Sequence, residues 1–221
     1  MDILIKVAKI IKSIRRFIYE ESKVIKDRDP AIKTDSEVLL YPSFRAMVYY
    51  RIANKLYNRK YYFWARLLSQ MARHRTGIEI HPGATIGKNL FIDHGSGVII
   101  GETTIIGDNV TIYQGVTLGG TGKDKGKRHP TIGDNVMIGA GSRVLGPVLI
   151  GANSKIGAGS VVLKDVPENS TVVGVPGRIV KREDKKVPYE DLDQVSLPDP
   201  VMQDIINLRV DIDNLKRKIE K

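Results

Sequence analysis

The chain has 221 residues, of which 42% are apolar, 6% are aromatic and 21 are glycine, so it can hold one large domain or one domain with helical extensions. It contains no cysteine, which excludes a disulfide framework, a thiol nucleophile and a thiolate metal site. The formal net charge of +10 lies wholly in residues 1–76, where basic and apolar residues alternate at helical spacing without a nucleic-acid motif. This pattern favours a solvated helix face over nucleic-acid binding.

The N-terminal region, residues 1–76, is predicted to be helical. Apolar residues over 3–25 lie on one side of a helix, and two more helices are expected near 43–56 and 61–72. Lysines interrupt the apolar start too early for a secretory core, and no stretch approaches the roughly 20 apolar residues that cross a bilayer. We therefore expect a cytoplasmic protein. A membrane-surface or scaffold role for residues 1–30 stays open as an alternative.

The central region, residues 77–180, contains a hexapeptide repeat. An aliphatic residue recurs every six positions from Ile132 to Val162, and the same rhythm runs from Ile80 to Ile92 and from Ile100 to Leu118. A period of six fits short strands joined by sharp corners, three per coil, in a triangular prism of parallel strands stacked about 4.8 Å apart. A β-sandwich would need longer strands and looser spacing. A second set of inward residues is predicted four positions after each later aliphatic: Val136, Ser142, Val148, Ser154, Ser160 and Val166.

Glycines and breaks mark the corners of this prism. Glycine follows the aliphatic residue where tight turns are expected, at Gly133, Gly139, Gly151 and Gly157. Two residues are inserted between Ile92 and Ile100. Between Leu118 and Ile132 the spacing is two hexads plus two, and the glycine-rich, charged segment 119–131 is predicted to be an extruded loop.

Residues 181–221 are predicted to form a proline-containing connector and a C-terminal helix. The apolar residues of the tail follow each other at spacings of 4, 3, 4, 3 and 4, which is typical of a heptad seam. They are Val201, Ile205, Leu208, Ile212, Leu215 and Ile219. The seam could form a coiled coil on the axis of a trimer or pack against the body of its own chain.

Four histidines are candidates for chemistry. His74 is expected on a helix surface, and His81 begins the first coil and is expected to be structural. His94 occupies neither inward position and lies just before the first break, whereas His129 lies in the extruded loop. Glu79 precedes His94 by 15 residues, close to one coil. A carboxylate one layer below a histidine can fix its tautomer and suit it to general-base work, although a corner histidine can also be an inert surface group.

These residues lie in motifs that closely resemble serine acetyltransferases, over roughly residues 27–180. The motifs are Arg28-Asp29-Pro30-Ala31, Leu39-Leu40-Tyr41, Ile78-Glu79-Ile80-His81-Pro82, Phe91-Ile92-Asp93-His94-Gly95, Val98-Ile99-Ile100-Gly101-Glu102-Thr103, Val116-Thr117-Leu118-Gly119-Gly120-Thr121-Gly122, Arg128-His129-Pro130, Ile138-Gly139-Ala140-Gly141 and Gly174-Val175-Pro176-Gly177-Arg178.

The resemblance implies a mainly β fold with α-helical flanks, in which the central region is a left-handed parallel β-helix. The left hand comes from the family alone, since general crossover rules favour the right hand. It also implies a homotrimer with active sites between subunits. The reaction would be acetyl transfer from acetyl-CoA to the hydroxyl of L-serine, giving O-acetylserine and CoA, as the first step of cysteine biosynthesis. Acetyl-CoA is the co-substrate, and no metal is expected.

The resemblance also assigns roles to single residues. His94 would be the general base and Glu79 its orienting partner. Asp29 and Asp93 would hold the ammonium group of serine. Arg128 and His129 would face its carboxylate.

The same resemblance implies a groove for CoA. The groove would be lined by Gly120, Thr121, Ala140 and Ala158, with Arg178 near the nucleotide end. Small residues such as Ala140 and Ala158 could equally be ordinary turn residues of the repeat.

Three departures from the family pattern matter. Many relatives carry aspartate where this chain has Glu79, which is longer by one methylene. The N-terminal region is short compared with family members in which it pairs trimers, so a dimer of trimers stays open. Relatives that dock into cysteine synthase use a C-terminal isoleucine, whereas this chain ends Lys218-Ile219-Glu220-Lys221, and we expect no docking of that kind.

Two other functions stay open. One is an acetyltransferase of the same architecture acting on homoserine, a sugar or another hydroxyl compound. The other is a zinc hydratase like the γ-class carbonic anhydrases, with His81, His94 and His129 as nitrogen ligands.

Overall fold

The computed structural model describes residue 16 and residues 18–122, 125–182 and 200–219. Helix α1 covers residues 18–28, so most of the helix predicted over 3–25 lies outside the described residues. A short 3₁₀ helix, Asp35–Leu40, leads into α2 (Pro42–Asn58) and α3 (Tyr62–Thr76). The helices predicted near 43–56 and 61–72 are thus confirmed.

The boundaries of α2 and α3 follow from their end residues. Pro42 begins α2, where a missing N–H costs nothing and the fixed φ suits a helix. Gly77 ends α3 with φ +72 and donates its N–H to the carbonyl of Arg73 at 2.8 Å. The chain therefore turns sharply out of α3 into the first strand.

Fifteen short strands follow within the described residues, and up to β13 each sheet takes every third strand. The strands are β1 (Glu79–Ile80), β2 (Thr85–Ile86), β3 (Phe91–Ile92), β4 (Ile99–Ile100), β5 (Ile105–Ile106), β6 (Thr111–Ile112), β7 (Thr117–Gly119), β8 (Thr131–Ile132), β9 (Met137–Ile138), β10 (Arg143–Leu145), β11 (Leu149–Ile150), β12 (Lys155–Ile156), β13 (Val161–Val162), β14 (Ser170–Val173) and β15 (Arg178–Arg182).

The three sheets form the three faces of a prism. Face 1 is β1-β4-β7-β10-β13, face 2 is β2-β5-β8-β11, and face 3 is β3-β6-β9-β12-β14-β15. All pairs are parallel except β14 with β15, which closes the last coil as an antiparallel strand. The triangular prism predicted from the period of six is confirmed.

The core of the prism is the column of inward residues that the repeat predicts. Every one of the thirteen aliphatic positions from Ile80 to Val162 is at most 6% exposed. The second inward set is also buried, and its serines satisfy their hydroxyls: Ser142 donates to the carbonyl of Gly157 at 2.8 Å, and Ser154 to that of Pro167 at 2.9 Å. Small polar residues therefore fit the interior without an unpaired hydroxyl.

The glycines after the aliphatic residues serve a different purpose from the predicted tight turn. Gly133, Gly139 and Gly151 do not have positive φ. A methyl group on them would lie only 2.3–2.7 Å from a backbone nitrogen of the next coil. Glycine is needed there because successive coils approach too closely for a side chain.

Asparagines occupy the left-handed corner positions instead. Asn89, Asn109, Asn135, Asn153 and Asn169 all have φ between +56 and +59. The side-chain amide of each of the first four donates to the amide oxygen of the asparagine one coil further on, at 2.8–3.2 Å. Asparagine tolerates this backbone conformation better than most residues, and the ladder stabilises five corners together.

The helices cover the open edge of the first coil. Its carbonyl groups have no coil below them, and side chains of α2 and α3 donate to them instead. Tyr50 donates to the carbonyl of Ala84 at 2.7 Å, and Ser69 donates to that of Ile80 at 2.8 Å. Arg51 donates to two further carbonyls of this coil, and Asn54 to the one of Pro82. The edge that would otherwise be unsatisfied is thereby paired.

The C-terminal helix α4 (Pro200–Ile219) is confirmed where the sequence predicted it. Arg178 of β15 forms an ion pair with Asp204, which lies in the first turns of α4. Within the described part of the chain, no helix combines the length and apolar character that crossing a membrane requires.

The asparagine ladder yields a test of stability. Asn135→Ala should lower the free energy of unfolding by about 2–3 kcal/mol, because alanine loses two amide hydrogen bonds and must hold a left-handed backbone. Asn135→Gly loses the same bonds but accepts the backbone, so its loss should be smaller by about 1 kcal/mol. Denaturant unfolding of both variants measures this, and equal losses would show that the backbone conformation carries no cost.

Candidate active site

His94 stands on the corner that carries the two-residue insertion. The corner joins β3 on face 3 to β4 on face 1, and His94 has φ +56 with a side chain that is 76% exposed. Gly95 follows with φ +77, and a methyl group there would lie 2.5 Å from the side chain of Ile78. The same backbone conformation recurs at the asparagine corners, and histidine tolerates it better than most residues do. The imidazole is thus held outside the core, facing solvent.

An acidic cluster lies beside this corner. Asp93 Oδ1 is 4.0 Å from His94 Nε2. Tyr41 donates its hydroxyl to Asp29 Oδ2 at 2.6 Å, and the hydrogen bond to Asp29 raises the pKa of Tyr41 to about 12, with a smaller contribution from the charge of Asp93. The structure therefore brings Asp29 and Asp93, both predicted site residues, together around Tyr41.

Tyr41 is a member of this cluster that the sequence did not single out, although it lies in one of the motifs of the resemblance. Asp29, the partner of Tyr41 in the cluster, is positioned by Arg28 at the end of α1. Arg28 is buried and donates to Thr111 Oγ1 on β6 at 2.7 Å. The guanidinium also lies over the ring of Phe91, 5.7 Å from its centroid. Arg28 thereby fixes Asp29 against face 3 of the prism.

Glu79 does not make the predicted contact with His94. Its carboxylate lies 3.3 Å from Arg73 Nε and 3.7 Å from Arg66 Nη2, both on α3. The strand register pairs Glu79 with Ile99, 20 residues later, because this coil consists of three hexads and the two inserted residues. The expectation took the 15 residues between Glu79 and His94 as close to one coil, and the register does not place His94 directly above Glu79.

The other predicted substrate residues lie on a different corner. Arg128 and His129 are in the loop between β7 on face 1 and β8 on face 2, whereas His94 lies between face 3 and face 1. A step that takes six residues elsewhere takes fourteen here, from Leu118 to Ile132, and the surplus forms the predicted loop. One chain therefore does not bring His94 and His129 together.

Arg128 is held by a chain of hydrogen bonds. Its guanidinium donates to Glu102 Oε2, and Tyr57 donates its hydroxyl to Glu102 Oε1 at 2.8 Å. The hydrogen bond from Arg128, followed by that from Tyr57, holds the pKa of Glu102 below its usual value. A carboxylate that is charged and doubly bonded fixes the direction of the arginine.

His129 is held as a hydrogen-bond donor. The backbone N–H of Thr103 donates to His129 Nδ1 at 3.2 Å, which assigns the ring proton to Nε2. Burial lowers the pKa of His129, whose exposure is only 8%. The ring leaves no space at Gly101 and Gly120, where a methyl group would lie 2.1 and 2.9 Å from Nε2. His129 therefore stays neutral and can offer one N–H.

His81 behaves as predicted for a structural residue. Its Nδ1 accepts the N–H of Gly83 at 3.1 Å, its ring meets Tyr57 edge-on at 5.7 Å, and burial lowers its pKa. Within the described ranges, no group of three or more histidine, aspartate or glutamate side chains is arranged to hold a metal ion. The three histidines of the zinc alternative are not gathered within one chain.

The predicted CoA residues also divide between two corners. Ala140 follows β9 and Ala158 follows β12, one coil apart on the same edge as His94. Gly120 and Thr121 lie in the extruded loop, where Thr121 donates its N–H to the carbonyl of Arg128 at 3.3 Å. Arg178 lies on β15, against Asp204 of α4. The edge above His94 is thus lined by small residues.

Two cavities lie in the N-terminal half of the described chain, and one of them adjoins these groups. A cavity of about 380 Å³ adjoins the Arg128 corner and is lined by Tyr57, Tyr62, Arg66, His81, Pro82 and Glu102. A larger one, of about 540 Å³, lies between α1 and the first coil; it includes Glu21, whose burial raises its pKa to about 7. None of the predicted site residues lines the larger cavity, so size alone does not locate the site.

Comparison with protein families matches residues 129–164 to the family described as bacterial transferase hexapeptide (six repeats). A serine acetyltransferase of Bacillus subtilis (strain 168) is 54% identical over 214 residues, covering 93% of this chain and 98% of that protein.

Solved structures agree with this. The Neisseria gonorrhoeae serine acetyltransferase in complex with serine matches with a TM-score of 0.73 at 44% identity, covering 77% of this chain and 70% of that one. The Brucella abortus serine acetyltransferase in complex with coenzyme A matches with a TM-score of 0.74 at 43% identity, covering 77% and 69%. These matches confirm the predicted left-handed parallel β-helix with helical flanks. The chain belongs to the serine acetyltransferase family.

Proposed function

We propose that this chain transfers the acetyl group of acetyl-CoA to the hydroxyl of L-serine, giving O-acetylserine and CoA in the first step of cysteine biosynthesis. Family membership supports this, as do related structures in complex with serine and with coenzyme A. The observation that carries the proposal is the exposed His94 on its left-handed corner, beside the acidic pair Asp29 and Asp93.

The proposed chemistry needs one base. A serine hydroxyl is a weak nucleophile until its proton is removed in the transition state. An unprotonated nitrogen of His94 accepts that proton while the hydroxyl oxygen attacks the thioester carbonyl carbon. The carbon–sulfur bond then breaks, and the CoA sulfur takes the proton from the imidazolium. No covalent enzyme intermediate and no metal are required.

The acidic cluster suits the ammonium group of an amino acid. Asp29 already accepts hydrogen bonds from Tyr41 and from the N–H of Ala31, which fix the orientation of its carboxylate. With Asp93 it places two negative charges next to the base. A sugar hydroxyl carries no cation for this pair, so the cluster favours an amino-acid acceptor over a sugar; homoserine differs from serine by one methylene and is separated by acceptor screening.

The carboxylate half of the site would come from a partner subunit. A zwitterionic acceptor needs an anion-binding group as well, and Arg128 and His129 offer a guanidinium and a neutral N–H. Because they lie on another edge of the same prism, we propose a homotrimer in which Asp29, Asp93 and His94 of one chain face Arg128 and His129 of the next. A dimer of trimers stays a prediction.

The proposed CoA groove runs along the edge of His94. The small side chains of Ala140 and Ala158 would let the pantetheine arm lie flat against the coils, and Gly120 and Thr121 of a neighbouring loop would close the groove. Arg178 would meet the charged nucleotide end, although it is paired with Asp204 in this chain.

Glu79 is proposed as a positioning residue that acts through His94. In this structure its carboxylate is held by Arg66 and Arg73, so the proposal requires that the side chain turn towards His94 when substrate binds. A cytoplasmic location and the absence of docking into cysteine synthase stay predictions; the last two residues, on which the latter rests, lie outside the described residues.

A thiol-release assay with acetyl-CoA and L-serine tests the main proposal. The chain contains no cysteine, so the only thiol formed would be CoA. His94→Ala should lower kcat by about 10²–10⁴-fold, which is the usual contribution of a general base. His74→Ala, an exposed histidine of α3, is the matched control and should retain activity. Absence of serine-dependent CoA release by the native chain would refute the function, and equal activity of the two variants would refute the role of His94.

Glu79→Gln tests positioning. We expect kcat to fall by about 10²-fold with little change in KM for serine, because the base would lose its orientation while the serine contacts stay in place. Glu79→Asp keeps the charge and should recover most of this loss. Steady-state kinetics of the two variants decide the matter: if aspartate fails to rescue, Glu79 acts by holding α3 rather than by orienting the base.

Glu102→Gln tests the hydrogen-bond chain that holds Arg128. Without the charged partner, the arginine must be ordered when serine binds, which should raise KM for serine by about tenfold and leave kcat within a few-fold of native. Tyr57→Phe removes only the outer hydrogen bond and should have a smaller effect. An unchanged KM in Glu102→Gln would mean that Arg128 needs no such support.

A further inference from the structure

The C-terminal helix α4 carries an apolar seam that its own chain does not cover. The described seam residues are between 40% and 60% exposed, and they are Ile205, Leu208, Ile212 and Leu215. The alternative that the seam packs against the body of the same chain is therefore not adopted. A contiguous apolar stripe of this kind marks a surface that meets another molecule.

We propose that this seam is covered by the same helix of another copy of the chain, parallel and in register. The spacing sets isoleucine at position a (Ile205 and Ile212) and leucine at position d (Leu208 and Leu215) of a heptad. These are the positions whose side chains interlock across a coiled coil. The seam is therefore complementary to itself.

The charges beside the seam select the direction. In a parallel, in-register pair, a g residue meets the e residue five positions later on the other helix. Asp204 then faces Arg209, and Asp211 faces Lys216, so both pairs are opposite in charge. An antiparallel pair that keeps the whole seam would set Asp211 against Asp211 and Arg209 against Arg209. Exposed pairs contribute only about 0.2–0.5 kcal/mol each, so they choose the direction rather than supply the affinity.

The assembly of the prisms supplies the affinity. A seam of three heptads is short, and a helix of this length is marginal by itself. This step rests on the proposed homotrimer, in which the chains are already joined through their β-helices. Their α4 helices are then held at a local concentration of about millimolar. Copies related by the threefold axis of the proposed trimer cannot run antiparallel to one another, whereas a parallel pairing is compatible with that axis. Isoleucine at a with leucine at d favours two strands in free coiled coils, so the number of joined chains decides how many helices share the seam.

A single cysteine placed in this cysteine-free chain tests the contact. Leu208→Cys puts a small apolar thiol at a d position, and oxidation of the full-length protein should join two chains through identical residues. Asp213→Cys, on the outer face of the same helix, is the matched control. We expect the initial rate of inter-chain disulfide formation to be at least about tenfold higher for Leu208→Cys, because only seam residues are held together. Equal rates, or no disulfide at 208, would overturn the proposal.

Charge reversal tests the direction in the Leu208→Cys background. Asp211→Lys and Lys216→Asp should each slow the disulfide formation several-fold, and the two together should restore it. Failure of the double variant to recover would rule out the parallel pairing. The thiol-release assay on Asp211→Lys without the added cysteine, where CoA is again the only thiol formed, separates this contact from the proposed activity. Acetyl transfer could continue while the helices fail to pair, and the helices could pair in a chain that transfers no acetyl group.

Discussion

Successive coils of the prism are joined by backbone hydrogen bonds, such as that from the N–H of Glu79 to the carbonyl of Val98 at 2.9 Å. Because each parallel strand keeps register with the strand one coil earlier, an extra residue between parallel coils is not absorbed inside a face; a register shift occurs in the antiparallel pair β14–β15. The extra residue has to leave at a corner. The two insertions in this chain do so, and one presents His94 while the other forms the loop that carries Arg128 and His129. The stacking rule that builds the fold thus also determines where the chain can display reactive groups.

This rule explains which features could be predicted from the sequence. A period of six reports burial directly, so the inward column from Ile80 to Val162 was predictable residue by residue. The breaks in the period located the two corners that carry His94 and the pair Arg128 and His129. The resemblance supplied roles for the polar residues, and the structure brings Asp29 and Asp93 together as those roles require.

What escaped prediction depends on distances between segments that are far apart in the chain. Glu79 forms ion pairs with Arg66 and Arg73 because α3 packs beside the first coil, and no periodicity in the sequence encodes that contact. Tyr41 joins the acidic cluster because the residue before α2 packs against the end of α1, and no periodicity encodes that contact either. The glycine positions were predictable but their cause was not, since a close approach between coils and a sharp turn select the same residue type.

The covered edge of the first coil has a further consequence. A stack of parallel coils has two ends, and an uncovered end would pair with the end of another prism, coil upon coil, into a filament. Here side chains of α2 and α3 donate to carbonyl groups at one end, and the antiparallel strand β15 covers the last parallel strand of face 3 at the other. Stacking of one prism end upon another is therefore blocked at the first coil and on face 3 of the last coil. The helices that pair the first coil thus also keep the prism from extending itself into a filament through that end.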